Sequence, residues 1–226
     1  MKKSGSILVW LSILTLCCSC NGIFSGIYDD PQTATGDDYG FISIDQSNNS
    51  GTIYIDATNY MQWTYIDFNK KSIEVKTIDT TNVNNNDIAD AGIEEPQNWD
   101  FAVHRYDVKT NNGAAKATQF ATLDELRNSA TRPDGSDFTA DIIGKVTVDM
   151  SNMMDGNIKY ISSPINKVLS QWLDVNTSEM PPIYTLSKQV YFLHLANGEY
   201  AALLFSNYMN EKSVKGYITI DYIYPF

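Results

Sequence analysis

The chain has 226 residues, of which 43% are hydrophobic and 12% aromatic, and its formal net charge is −11 at pH 7. This length suits one domain with a real core, on the usual size of roughly 100–200 residues per domain. The excess of acidic side chains argues against nucleic acid and anionic lipid surfaces as partners.

The N-terminus has the pattern of a secretory signal peptide. The segment "MKKSGSILVWLSILTLCCSC" begins with two lysines, which are followed by an apolar run from Ile7 to Leu16. The run is too short to span a membrane. We therefore predict a signal peptide over residues 1–19.

Three cysteines, at positions 17, 18 and 20, end this segment. Cys20 is the predicted lipidation site, because Ser19 supplies the small residue that a lipoprotein signal peptidase needs before its cysteine. Cys17 departs from the usual Leu at its position. Cleavage before Cys20 would leave no free thiol, which excludes disulfides, cysteine-ligated metal centres and cysteine nucleophiles. It would also remove Lys2 and Lys3 and make the charge −13.

Residues 20–38 are predicted to be the lipidated Cys20 and a flexible tether rich in Gly, Asp, Thr and Pro. The pair Asp29-Asp30 is similar to the surface-export signals of Bacteroidetes lipoproteins. We expect a surface-exposed protein that is lipid-anchored in the outer membrane, with release from the cell left open. A single domain is predicted over residues 39–226.

Short runs with a period of two dominate from Tyr39 onward. The runs "YGFISID", "GTIYIDATNY" and "QWTYIDF-NKK-SIEVKTID" are separated by turn residues and predict strands joined by hairpins. In the third run Trp63 and Tyr65 fall on one face, while Ile66 and Phe68 fall on the other. We therefore expect both faces of this strand to be covered, at least in part.

Two short helices are predicted. In "TLDELRNSA" Thr122 is the N-cap and Glu125 follows three residues later, which forms a capping box. In "SSPINKVLSQWLDVN" Ser163 is the predicted N-cap and Pro164 the first helical residue. The apolar face of this amphipathic second helix would consist of Ile165, Val168, Leu169 and Trp172.

The C-terminal segment predicts a three-stranded antiparallel meander. Its first turn, Asn197-Gly198, has residue types that tolerate the positive φ of a tight hairpin. Residues 80–98 have almost no periodicity and predict a long surface loop. Together these patterns predict an all-β, mostly antiparallel fold with two short helices.

The candidates for catalysis and metal binding are few. His104 and His194 have no Gly-x-Ser-x-Gly motif beside them, and no phosphate-binding loop is present. His104 is interpreted as a structural residue that bonds a neighbouring strand or loop, while His194 could be exposed or line a pocket. A closed zinc site needs about four His or Cys ligands. Two histidines and no free cysteine after the predicted cleavage are too few to form one. The oxygen-rich turns lack EF-hand spacing and are interpreted as solvated.

The methionines are the unusual feature. Beyond Met1 there are six, at positions 61, 150, 153, 154, 180 and 209, and three of them crowd the polar segment "DMSNMMDGNIKY". Met180 opens "MPP" in another predicted loop. Thioether sulfur is a poor ligand for calcium or zinc but a good one for haem iron and Cu(I). Methionine also fills gaps in apolar cores, so packing remains the alternative.

The motifs "WDFAVHRYDVKTNNG" and "GEYAALLFSNYMNEKSVKGYITIDYIYPF", together with the lipoprotein signal and the chain length, resemble the HmuY family. These are haem-binding lipoproteins, haemophore-like proteins of Bacteroidetes. The resemblance implies an almost wholly β fold and one haem, iron protoporphyrin IX, between two loop-borne axial ligands. The best-known branch uses two histidines, but residues 145–182 contain none. The chain is similar to the branches that use two methionines.

The resemblance implies that Met154 and Met180 are the axial ligands of the haem iron. Met153 is the alternative to its neighbour, and Met150 ranks below both because it can still belong to the preceding strand. The implied function is non-enzymatic: a haemophore that takes haem from host haemoproteins and delivers it to an outer-membrane haem transporter, in the service of iron acquisition. No metal other than haem iron is expected.

Other residues could assist such a site. The haem propionates need local cations, and Lys145, Lys159 and Lys167 lie in the right region, although each could be merely solvated. The aromatic residues Tyr60, Trp63 and Trp172 could contact a porphyrin or belong to the core. The alternative function is a glycan-binding or adhesive surface lipoprotein, which would also suit a β fold with exposed aromatic side chains.

Overall fold

The computed structural model describes residues 39–90 and 92–226, which form β-sheets and one short α-helix. The predicted signal peptide, Cys20 and the tether lie outside the described residues. The prediction of a mostly antiparallel all-β fold is confirmed.

The largest sheet has seven antiparallel strands. In spatial order they are β1 (Gly40–Asp45), β2 (Ser50–Asp56), β16 (Lys215–Ile223), β15 (Tyr200–Met209), β14 (Val190–His194), β8 (Ala114–Ala117) and β9 (Thr139–Ala140). The predicted C-terminal meander is confirmed by the neighbouring strands β14, β15 and β16.

Three smaller sheets complete the fold. A four-stranded antiparallel sheet has the order β4 (Ser72–Thr77), β3 (Gln62–Asp67), β6 (Phe101–His104) and β7 (Asp107–Thr110). A three-stranded sheet has the order β10 (Ile142–Asp149), β11 (Lys159–Ile165) and β5 (Ile88–Ala89). The two-stranded sheet consists of β12 (Leu173–Asn176) and β13 (Ile183–Leu186). Among these strands, β5 and β11 form a parallel pair.

The four-stranded sheet lies between two cores. Ile66 and Phe68 face the larger core, which they share with the seven-stranded sheet. Trp63 and Tyr65 face a second core, which they share with residues of β10 and β11 such as Ile161. The prediction that both faces of β3 are covered is therefore confirmed. Packing on both faces explains why β3 has no exposed side chain.

The first predicted helix is confirmed as α1 (Leu123–Asn128). The Thr122 side chain accepts a hydrogen bond from the Glu125 N–H at 3.1 Å, as its N-cap position predicts. The Glu125 carboxylate turns back and accepts from the Ala121 N–H at 3.0 Å. Leu126 carries the buried side of α1 against the outer face of the seven-stranded sheet.

The second predicted helix is wrong. The predicted N-cap Ser163 and the two residues after it belong to β11 (Lys159–Ile165). Only Leu169–Trp172 is helical, as a short 3₁₀ turn. The apolar side chains that resembled one helical face divide between two cores, since Ile165 packs against β10 while Leu169 and Trp172 enter the larger core. Pro164 fits the strand because β5 pairs only with Tyr160 and Ile161, so one side of β11 has no paired strand at Pro164.

Two smaller expectations are refined. In the turn between β14 and β15 only Gly198 of the predicted pair has positive φ, at +86°, and its N–H donates to Leu195 O at 2.9 Å. Residues 80–90 and 92–98 are mostly a surface loop as predicted, but they include the short strand β5. None of the helices formed by residues 39–90 and 92–226 is long and apolar enough to cross a membrane.

Candidate functional site

Two consecutive β-hairpins carry the predicted methionine ligands. Strands β10 and β11 are joined by residues 150–158, which we call the first loop, and β12 and β13 are joined by residues 177–182, which we call the second loop. The first loop contains the methionines at positions 150, 153 and 154, and the second contains Met180. The two hairpins follow one another along the chain.

The first loop is ordered by hydrogen bonds of its own backbone. Met153–Asp155 forms a 3₁₀ turn that Gly156, with φ of +75°, ends by donating to Met153 O at 2.9 Å. Before the turn, the Ser151 N–H donates to Asp149 Oδ1 at 2.8 Å. This bond is the main cause that lowers the pKa of the Asp149 carboxyl. Exposed side chains of this loop therefore project from a defined backbone.

The exposure of these methionines decides between packing and another role. Met154 is 91% exposed, Met180 is 87% exposed and Met153 is 45% exposed. By contrast, Met209 is 1% exposed and belongs to the larger core. Core filling therefore accounts for Met209 and fails for Met154 and Met180. Both thioethers are therefore accessible to a partner or ligand from ordered turns.

The 3₁₀ turn also changes the expected relation between the two neighbouring sulfurs. In an extended loop Met153 and Met154 would point to opposite sides, but a 3₁₀ turn has three residues per turn. Met154 is therefore rotated by about a third of a turn from Met153. Met150 lies just after the end of β10 and its carbonyl accepts from the Met153 N–H at 3.0 Å.

The second loop begins and ends on a small, firmly packed hairpin. Met180 precedes Pro181, and the peptide bond between them is cis. Tyr184 of β13 stacks on Tyr208 of the seven-stranded sheet with ring centroids 5.6 Å apart. Lys215 Nζ lies 4.6 Å from the centre of the Tyr184 ring. These contacts attach β13 to the larger sheet while Met180 remains exposed.

The segment between the two hairpins is anchored in the interior. Asn166 is fully buried, its N–H donates to Val108 O at 2.7 Å, and its side-chain amide donates to Asp141 Oδ1 at 3.0 Å. The buried Trp172 indole donates to Tyr106 O at 3.0 Å. The segment that connects the two hairpins is thus hydrogen-bonded to backbone carbonyls in β7 and just before it. Sequence reasoning missed Asn166, whose only signal is one amide within an apolar stretch.

The three lysines near the loops differ in their surroundings. Lys145 Nζ lies 4.1 Å from the centre of the Tyr160 ring on the β10–β11 hairpin. Lys159 is the strand partner of Asp149 and helps to lower the pKa of that carboxyl. Lys167 is exposed in the connecting segment. Lys145 and Lys159 are therefore the cations of the hairpin that carries Met154.

His104 is a structural residue, as predicted. It is buried, and its Nε2 lies 2.6 Å from Tyr60 O. Because a carbonyl only accepts, Nε2 carries the proton and the neutral ring leaves Nδ1 without a proton. Burial lowers the pKa of His104 to about 4. Asp107 Oδ2 lies 4.0 Å from Nδ1, and burial raises the pKa of this carboxyl to about 6.

The other aromatic and histidine candidates also belong to the scaffold. Trp63 and Trp172 are fully buried, so both are core residues. Tyr60 is half-buried and lies under the Arg105 guanidinium, whose carbon is 4.5 Å from the ring centre. His194 is half-buried and stacks on Tyr200 at a centroid distance of 4.7 Å.

Surface clefts occur elsewhere on the molecule. One of about 360 Å³ is lined by polar residues that include Asp67, Asp100 and Asn111. Another of about 330 Å³ lies beside α1 and includes Thr122 and Asp221. Neither cleft is lined by a methionine. Within residues 39–90 and 92–226, no group of three or more His, Cys, Asp or Glu side chains could hold a metal ion.

The chain matches a known protein family over most of its length. The model of the HmuY protein family matches residues 59–222. No curated protein is significantly similar to the chain.

Solved structures give the same relationship. A crystal structure described as an HmuY-like haem-binding protein from Bacteroides vulgatus has 48% identity, a TM-score of 0.74, and coverage of 84% of this chain and 99% of that chain. A lipoprotein from Bacteroides fragilis has 42% identity, a TM-score of 0.76, and coverage of 86% and 99%. An apo HmuY analogue from Tannerella forsythia has 23% identity, a TM-score of 0.63, and coverage of 86% and 97%, and shares the fold.

Proposed function

The chain belongs to the HmuY family, and we propose on that premise that it is a haem-binding lipoprotein whose iron ligands are Met154 and Met180. In this proposal the protein is lipid-anchored through Cys20 at the surface of the outer membrane. It takes haem from host haemoproteins and delivers it to an outer-membrane haem transporter, and it catalyses no reaction.

The observation that carries the proposal is the exposure of two thioethers on ordered hairpin loops. Met154 and Met180 are 91% and 87% exposed, so neither contributes to a core. Thioether sulfur is a suitable axial ligand for haem iron. The donor type and its accessibility therefore fit haem, which when bound supplies an iron centre with two open axial positions.

One sulfur from each loop is the pairing that suits haem. Met153 and Met154 are adjacent residues of one short 3₁₀ turn, so this pair would supply one ligand to a haem iron rather than both. Met153 and Met154 are therefore alternatives for one position, and Met180 provides the other. Met154 is our choice because it is twice as exposed as its neighbour, at 91% against 45%.

The cations of the same hairpin suit the propionates. The chain is strongly acidic, so an anionic ligand needs local positive charge. Lys145 and Lys159 both lie on the β10–β11 hairpin and supply it. Ammonium groups at this position would also orient the haem by its charged edge.

The alternative of glycan binding is weaker in this fold. Sugar rings usually stack on exposed aromatic faces, but Trp63, Trp99 and Trp172 are buried. Within the described residues the tryptophans therefore offer no flat platform to a glycan.

Titration with haemin tests the proposal. We expect the parent protein to produce a shifted Soret band, and a variant with Met154→Ala and Met180→Ala to lose it. Met61→Ala is the matched control, because Met61 is partly exposed but lies in the turn between β2 and β3. A parent that gives no shifted band but binds glycans would favour the alternative.

A further inference from the structure

The long loop between β4 and β6 packs along the hairpin that carries Met154. We call residues 80–90 and 92–98 the strap. Val83 buries its side chain in the second core, and Ala89 packs against that core from β5. Ile88 and Ala89 pair in parallel with Tyr160 and Ile161, near the start of the strand that follows the first loop. The strap is therefore part of the sheet that supports this loop.

Asn86 contacts the residue at the end of the first loop. Its N–H donates to Ile158 O at 2.7 Å, and its side-chain Oδ1 accepts from the Ile158 N–H at 3.2 Å. The neighbouring Asn85 forms an isolated antiparallel bridge with Lys159. Ile158 is the last residue of the first loop. Asn86 thus satisfies both backbone polar groups of the residue where the loop ends.

The backbone at Asn86 explains why asparagine suits this position. Its φ is +64°, in the left-handed region that most side chains avoid and that asparagine tolerates well. Glycine would accept the same backbone angle but could not supply the Oδ1 acceptor. Aspartate would keep an acceptor oxygen at the same place. Substitutions at Asn86 can therefore separate the backbone angle from the side-chain bond.

The other end of the strap is fixed by an ion pair between a buried lysine and a partly exposed glutamate. Glu95 pairs with Lys109, which is 1% exposed and also donates to the Tyr65 hydroxyl at 3.0 Å. Lys109 Nζ lies 4.6 Å from the centre of the Trp63 ring and 5.2 Å from that of Trp99. A buried ammonium without a partner is strongly unfavourable, so this pair holds the strap against the second core.

We propose that Asn86 is a positioning residue for the haem site, acting through Ile158 to fix the end of the loop that carries Met153 and Met154. This inference rests on the proposed function, in which one of these sulfurs binds the iron. A loop held at its end presents the sulfur in one place and lowers the conformational cost of binding. Loss of the Asn86 bond then increases the rate at which haem leaves.

Two variants of the full chain and one control test the proposal. Asn86→Gly removes the side-chain acceptor and keeps the backbone angle, while Asn86→Asp keeps both. Asn49→Gly is the matched control, since Asn49 also has positive φ, at +52°, but lies in the turn between β1 and β2. We measure hydrogen exchange of the Ile158 amide in haem-free protein, haem transfer to excess apomyoglobin, and the urea midpoint.

Asn86→Gly is expected to raise both the exchange rate at Ile158 and the rate of haem transfer about fivefold, as for loss of one modest hydrogen bond. Asn86→Asp and Asn49→Gly should stay close to the parent in both rates. The urea midpoint of Asn86→Gly should fall below that of Asn49→Gly only by the contribution of one hydrogen bond, so that both variants remain folded during haem transfer.

Two results would overturn the positioning role. One is an unchanged exchange rate at Ile158 in Asn86→Gly, and the other is a faster exchange with haem transfer at the parent rate. Failure of the proposed function would look different, because the parent itself would then bind no haem.

Discussion

Met154 and Met180 occupy matching places in two consecutive hairpins, each within the loop that joins an antiparallel pair of strands. Their exposed fractions, 91% and 87%, are the highest among the large hydrophobic side chains of residues 39–90 and 92–226. A side chain in such a place contributes little to folding. In the proposed function these thioethers bind the haem iron, and measurements of stability, redox dependence and pH dependence can test that role.

Stability measurements should separate the exposed methionines from the buried one. Met154→Ala and Met180→Ala should each change the free energy of unfolding by less than about 0.5 kcal/mol, as is usual for exposed positions. Met209→Ala should cost about 2–5 kcal/mol, because it leaves a cavity in the larger core. Urea denaturation of the haem-free proteins measures all three. A large loss of stability in Met154→Ala would mean that this side chain packs after all.

The oxidation state of the iron should affect binding. Soft thioether sulfur favours ferrous over ferric iron, so we expect reduced haem to bind more tightly, by a factor on the order of ten, which is about 1.4 kcal/mol. Parallel titrations with haemin and with dithionite-reduced haem measure the ratio. Equal affinities in the two states would argue against methionine ligation.

Mild acid should leave haem binding unchanged. A thioether takes up no proton between about pH 7.5 and 5.5, whereas a ligating imidazole is protonated near its ordinary pKa of about 6.5. The buried His104 stays neutral in that range, because its pKa is lowered to about 4. The matched comparison is a variant with Met154→His and Met180→His, whose haem affinity should fall as the pH decreases. A parent that loses haem over the same range contradicts bis-methionine ligation.

His104 and Asp107 should influence stability in opposite directions. The unfolded state protonates His104 near pH 6.5, but the folded state only near pH 4, so the stability from this residue is present above about pH 6.5 and is lost as the pH falls towards 4. The folded pKa of Asp107 is raised from 3.8 to about 6, so its contribution increases as the pH falls through 6. The Asp107 side chain is 38% exposed, which makes its effect the smaller one.

Urea midpoints at about pH 7 and pH 4.5 measure this balance. His104→Gln should weaken the loss of stability in acid, and Asp107→Asn should increase it. The same change in both variants would show that the two side chains do not titrate as described.

Local patterns in the sequence predicted much of the fold. The alternation of apolar and polar residues predicted β1 to β4 and the C-terminal meander, although burial in β3 and β14 extends to both faces of the strand. The capping box at Thr122 predicted α1, since its two polar side chains act on backbone groups within four residues. Both features could be predicted because they depend on residues that are close to one another in the sequence.

The errors arose where tertiary contacts override local pattern. Ile165, Leu169 and Trp172 have helical spacing, but they serve two different cores. Lys109 gave no sign of burial, because its partner Glu95 lies in a loop without periodicity. For the candidate site, the resemblance to the HmuY family selected Met154 and Met180, while the 3₁₀ turn and the contact of Asn86 with Ile158 needed the structure.

The most direct test of methionine ligation is a series of single alanine substitutions at Met150, Met153, Met154 and Met180. Haem spectra of each variant show which sulfurs bind the iron. We predict that Met154→Ala and Met180→Ala each lose the spectrum of the parent, while Met150→Ala keeps it. Loss in Met153→Ala instead of Met154→Ala would transfer the role to its neighbour. If all four variants bind haem as the parent does, the iron is bound elsewhere and methionine ligation is wrong.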